Sequence, residues 1–146
     1  MKETVLKTLQ EMGFSLDEIE DFGYIFTHED FNILYMPDDN EEFLRFSIPN
    51  IHEVTEENRS FLLDIVNDVN MFIKYTKTCL FDDSVWTFYE HFLAGEEHLD
   101  DVIEHCILVL ESTYYLFLRK IDGDDSLPEM DADDETNENS DKKMEE

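Results

Sequence analysis

Apolar residues recur along this chain at two different spacings, and the switches between them divide it into elements. In "ETVLKTLQEMG" Val5, Leu6, Leu9 and Met12 follow a helical period, and Gly13 supplies a stop. Three short runs follow, "FGYIFT", "FNILYM" and "FLRFSI", separated by "HED" and "PDDNEE". Pro37 presets its own φ, while Asp38, Asp39 and Asn40 tolerate turn geometry, so the runs read as an antiparallel meander ending at Pro49. Thr55 then opens a second helix. Its hydroxyl can accept from first-turn amides, and Glu56 and Glu57 suit the positive end of the dipole. Leu62, Ile65, Val66, Val69, Phe72 and Ile73 make the inner stripe of that helix. Two more strands, "KTCLF" and "VWTFYEHF", meet at Asp82-Asp83-Ser84. A last helix starts after Ala94-Gly95 with Glu96 and Glu97 in its first turn. Its inner face carries Leu99, Val102, Ile103, Cys106, Leu110, Tyr114 and Phe117, and it ends near Arg119, Lys120 and Gly123.

The predicted architecture is therefore an α+β domain of order α-β-β-β-α-β-β-α over residues 1–121. An antiparallel five-strand sheet carries flanking helices. Residues 122–146 change composition abruptly: they have almost no large apolar side chains and read as an acidic, disordered tail.

Charge narrows the function classes. The chain has a formal net charge of -28, of which the last 25 residues contribute -10 and the first 121 contribute -18. Such a surface repels phosphate, which argues against nucleic-acid partners and against anionic membranes. It suits a basic protein partner or plain solubility. The first residues lack a targeting segment's apolar core, no apolar run approaches a membrane span, and the two cysteines, Cys79 and Cys106, stand in no CxxC spacing. A cytoplasmic location is the expectation.

The strand faces point to a second apolar surface. In "FNILYM" Phe31, Ile33 and Tyr35 share one side, yet Leu34 and Met36 occupy the other. In "FLRFSI" Leu44, Phe46 and Ile48 oppose Phe43, Arg45 and Ser47. A sheet with one solvated face should show a clean polar side. Three helices could enclose both faces within one chain, but the chain is short for that. The expectation is therefore that helices cover one face and that the remaining apolar surface meets a partner, first of all a second copy of the chain.

Candidate chemistry is sparse. Glu90 and His91 are adjacent in a strand, so their side chains diverge and cannot serve one substrate atom as a dyad. Glu90 shares a face with Trp86, Phe88 and Phe92. Trp86, Phe88 and Glu90 are assigned to the structural core, where a buried Glu90 must find donors or carry a raised pKa, and local hydrogen bonding at the strand end is the expected answer. Tyr89 and His91 fall on the face read as less enclosed and are candidate protein contacts. Asn67 and Asn70, at i and i+3 on the second helix, either hydrogen-bond across a dimer or form a polar flank that touches strand ends. His98, Asp101 and His105 share a helix side, but the surrounding "EEHLDDVIEH" is the polar face of an amphipathic helix rather than a metal site. His28 and His52 are placed in loops and suggest nothing specific. The acid pairs lack the glycine and ligand spacing of a calcium loop, and no GxGxxG, GK[ST], GxSxG or HExxH string occurs. Neither a metal, nor a cofactor, nor an enzymatic activity is expected.

Three stretches carry a resemblance: "EDFGYIF" (Glu20 to Phe26), "VNDVN" (Val66 to Asn70) and "DDSVWTFYEHFL" (Asp82 to Leu93), with a last helix ending near "LRKI". Together with the element order, they make residues 1–121 similar to the YbjN-type bacterial family, with a type III secretion chaperone-like fold. The resemblance implies a non-enzymatic protein-binding domain, often a homodimer, akin to secretion chaperones and sensory-transduction regulators. It brings no catalytic residues. Two other classes compete with it. One is a small-molecule binder or enzyme with an aromatic pocket near Trp86 and Glu90. The other is an acidic inhibitor or immunity-like protein that binds a basic partner.

Overall fold

The computed structural model describes residues 1–95 and 98–123. Glu96, Glu97 and the acidic segment beyond Gly123 lie outside the described residues. The elements run α1 (Lys2–Glu11), β1 (Asp17–Ile19), β2 (Gly23–His28), β3 (Phe31–Tyr35), β4 (Phe43–Glu53), α2 (Arg59–Phe72), β5 (Thr76–Phe81), β6 (Ser84–Phe92) and α3 (Leu99–Ile121). The strands form one antiparallel sheet in the order β1-β2-β3-β4-β6-β5.

The sheet has six strands, not the expected five. The extra one, β1, is the three residues "DEI", too short and too acidic to show a period of its own. Pairing with β2 makes it a strand, through Asp17 opposite Ile25 and Ile19 opposite Gly23. Strand β4 also runs past Pro49 to Glu53. Proline cannot donate to the ladder, and the register with β6 slips between Ile48 and His52, where Asn50 takes a φ of 55°. Regular α2 geometry starts at Arg59, later than Thr55. The Thr55 side chain instead closes the turn before the helix: its Oγ1 accepts from the Asn58 amide at 3.2 Å, and Asn58 Oδ1 accepts from the Thr55 amide at 2.7 Å. This reciprocal pair satisfies the two amides of the turn that leads into the helix.

The three helices pack on a single face of the sheet. One registered row crosses all six strands on that face: Glu18, Tyr24, Tyr35, Phe46, Tyr89 and Thr76. Phe46, Leu44 and Ile33 are completely buried there against Val5 and Leu9 of α1 and Ile103, Cys106 and Leu110 of α3. Each such large side chain contributes about 1.5–3 kcal/mol by leaving water. A second cluster joins Leu62, Ile65, Val66 and Val69 of α2 to Val85, Leu116 and Phe117, so α2 sits beside α3 at the β5 side of the sheet. Thr113, on the inner face of α3, satisfies its buried hydroxyl through Val109 O at 2.7 Å and Thr76 Oγ1 at 2.7 Å.

Candidate docking face

With every helix on one side, the opposite face of the sheet is left without a covering element among the described residues. Its central row is Asp17, Ile25, Leu34, Ser47, Phe88 and Lys77, each directly opposite the next. The neighbouring positions on β4 and β6 supply Phe43 opposite Phe92 and Arg45 opposite Glu90. The apolar second side read from "FNILYM" and "FLRFSI" is therefore this outer face.

The face has an enclosed centre and an open margin. Trp86 is 8% exposed because Phe22 stacks on it from the β1–β2 turn, at 5.9 Å between ring centroids, and Phe81 meets it edge-on at 4.8 Å. Phe88 stacks on the same indole at 5.8 Å. Ser47, fully buried, donates to Thr87 O at 2.9 Å. Around this centre, Ile19, Phe22, Phe43 and Phe92 remain 40%, 42%, 40% and 53% exposed. The turn that brings Phe22 over the sheet depends on Gly23. A Cβ at that position would stand 2.1 Å from the Tyr35 carbonyl oxygen, so only glycine lets β2 begin this close to the end of β3.

A charged network crosses the same face. Arg45 Nε donates to Glu90 Oε2 and Arg45 Nη2 to Asp38 Oδ2, both at 2.8 Å, while Lys77 Nζ reaches Glu90 Oε1 at 2.9 Å. Glu90 is thus a cross-strand ion-pair residue on the outer face rather than a core residue in need of donors. Partial desolvation, the largest single influence, pushes its carboxyl up. The hydrogen bonds and charges of Lys77 and Arg45 together outweigh it and hold the pKa below the ordinary value.

The remaining candidate residues land elsewhere. Tyr89 is on the helix-covered face and 1% exposed, the reverse of the less enclosed position expected for it. The sequence is apolar on both sides of β6, and the choice between them was made by the helices. The Tyr89 hydroxyl lies 3.1 Å from His91 Nδ1 and 3.4 Å from His105 Nδ1, and burial pushes its pKa up to about 12, so it keeps its proton at neutral pH. Asn70 bonds within the chain, its amide donating to Thr78 O at 2.8 Å and accepting from Thr78 N at 2.8 Å. This is the polar-flank arrangement, in which the amide touches a strand edge. Asn67 is exposed, with its amide 3.8 Å from Met71 Sδ. Cys106 is buried, and its thiol pKa is well above the usual range because no water reaches it.

His28 was missed. It is not in a loop but closes β2, and its Nδ1 lies 2.6 Å from Glu111 Oε2 of α3, 83 residues away. No local pattern signals such a pair.

No family model matches the sequence, and no curated protein matches it. Among solved structures, the crystal structure of YbjN from E. coli, a suggested transcription regulator, superposes with a TM-score of 0.63 at 14% identity. The match covers 83% of this chain and 91% of that one. At this identity the likeness establishes a YbjN-like α+β fold. No helix among the described residues is long and apolar enough to cross a membrane.

Proposed function

We propose that this chain is a non-enzymatic protein-binding domain, and that the outer face of its sheet is the docking surface, occupied first by a second copy of the chain. The observation that carries this reading is the composition of that face. Exposed Ile19, Phe22, Phe43 and Phe92 surround a network of Arg45, Lys77, Asp38 and Glu90 that has no net charge, in a chain whose formal charge is -28. A two-fold interface needs a patch complementary to itself, with both charge signs present and apolar area to bury. Elsewhere two acidic copies repel; here they can approach.

The YbjN-like fold agrees with a regulator or binding-type protein. The acidic charge opposes direct contact with nucleic acid, so a regulatory role here would run through protein contacts, as in the secretion chaperones that the sequence resembles. An aromatic pocket that uses Glu90 as an acid or base has less support, because Arg45 and Lys77 already bind both carboxylate oxygens.

Sedimentation equilibrium tests the proposal. The free chain should show twice its 17.4 kDa mass at tens of micromolar, and the association should tighten as salt screens the net repulsion. A Phe43→Asp/Phe92→Asp double variant with an unchanged circular dichroism spectrum should sediment as a monomer. A wild-type chain that stays monomeric up to millimolar concentration would overturn the second copy as occupant. A basic host protein bound in its place, and released by salt, would identify the acidic-inhibitor class instead.

A further inference from the structure

The helix-covered side holds a cluster that plays no part in the docking face. One potential ligand atom from each of His28, Glu29 and Glu111 lies within 4.8 Å of the others. His28 and Glu29 sit where β2 turns into β3, and Glu111 projects from the middle of α3, so the three come from two elements that the fold brings together. The imidazole is held in place: Phe14 meets it edge-on at 6.1 Å, and its Nδ1 lies 2.6 Å from Glu111 Oε2. Beside them opens a cleft of about 570 Å³ lined by Met12, Phe14, Glu104, Ile107 and Leu108. Glu111 and Glu104 lie two helical turns apart on the same side of α3, so a further carboxylate lines that cleft.

We infer that His28, Glu29 and Glu111 form a binding site for a divalent transition-metal ion, of which zinc is the representative. The donor set decides the class. Magnesium and calcium take all-oxygen sets, whereas an imidazole nitrogen with two carboxylate oxygens suits zinc, cobalt and their neighbours. Three protein ligands leave a fourth position open toward the cleft, for water or for an outside donor. The ion would replace the direct His28–Glu111 bond as the link between the β2–β3 turn and α3, and would cancel part of the acidic charge there. The plain alternative is that the imidazole–carboxylate pair is complete by itself and that Glu29 is only an exposed neighbour.

Titration of the full-length chain with Co²⁺ and Zn²⁺, in millimolar Mg²⁺ to occupy the general acidic surface, separates the two. The inference requires one saturable equivalent of Co²⁺ with a visible absorption band, displaced by Zn²⁺, and a Tm raised by Zn²⁺ but not by further Mg²⁺. Glu29→Gln changes an exposed side chain without threatening the fold, and it should weaken binding at least about tenfold. His28→Ala should abolish the absorption band. Weak multiple binding with no band, or an affinity unchanged in Glu29→Gln and in a folded His28→Ala, would reduce the cluster to a simple ion pair.

Discussion

Asn70 closes the free edge of the sheet at Thr78. Its amide nitrogen donates to the Thr78 carbonyl and its amide oxygen accepts from the Thr78 N–H, each at 2.8 Å. Strand β5 is the last in the sheet, so these two backbone groups face no further strand. One side chain from α2 thereby supplies what a seventh strand would offer, and it denies that position to another chain. The opposite edge, β1, is managed differently, by being three residues long and acidic.

Replacing Asn70 with alanine removes partners from two half-buried backbone groups. The expected loss is about 1–3 kcal/mol in urea denaturation, together with faster hydrogen exchange at the Thr78 amide. Asn67→Ala, one turn earlier and exposed, should stay within about 0.5 kcal/mol of wild type. Equal effects at the two sites would contradict the edge-closing role.

The Glu90 network predicts an acid-side loss of stability. Because the folded carboxyl titrates below its ordinary value of 4.5, the unfolded chain takes up the proton first. The contribution is present above the unfolded pKa and disappears as pH falls through the folded one. Glu90 is partly exposed, so the effect is small, on the order of the 0.2–1 kcal/mol typical of surface pairs. Denaturation midpoints of wild type and Glu90→Gln should be fully separated above pH 4.5 and converge as pH falls through the lowered folded value. Parallel curves across that range would mean that the ion pairs contribute nothing.

At high pH the sign reverses. Burial raises both Tyr35 and Tyr89 to about 12, above their usual 10.0. Their stabilising contribution is complete below the unfolded value and is lost as pH climbs from 10.0 toward about 12. Tyr89→Phe should flatten that alkaline loss and reduce the late component of the ultraviolet phenolate titration. At neutral pH it should cost about 1 kcal/mol, through the missing hydroxyl bonds to His91 and His105. An unchanged alkaline profile would place the Tyr89 hydroxyl in contact with water.

Gly23→Ala should be far more damaging than its single methyl suggests. The new Cβ would meet the Tyr35 carbonyl oxygen at 2.1 Å, at a φ of 153° that side chains rarely adopt, so backbone must move. A loss of roughly 2 kcal/mol or more is expected. Trp86 fluorescence should shift to the red as Phe22 lifts from the indole. Alanine at Gly13, where no atom lies within 4 Å of the added Cβ, should cost less, since only its φ of 98° is unfavourable. Similar losses at both glycines would show that close approach is not what position 23 requires.

The order of helices and longer strands was legible in the sequence because periodicity is a local property. Val5 and Leu9 recur at helical spacing, and Phe31, Ile33 and Tyr35 alternate, whatever they later pack against. The short β1 escaped that reading because three residues hold too little pattern, and β4 past Pro49 escaped it because a bulge breaks the alternation there. The candidate site was legible only in outline. A second apolar face could be read from Leu34 and Met36, but not which face it would be. In β6 both Val85–Thr87–Tyr89 and Trp86–Phe88 offer apolar area, and the sequence is nearly symmetric between them. Three helices docking on one side broke that symmetry. They buried Tyr89, left Trp86 and Phe88 on the outer face, and brought Glu90 between Arg45 and Lys77. The sequence alone determined the elements, the acidic charge and the existence of two apolar sheet faces. The tertiary structure decided which face is covered, and which distant residues meet, as His28 and Glu111 do across 83 positions. Those outcomes depend on side chains from separate elements competing to leave water, which no local window of residues contains.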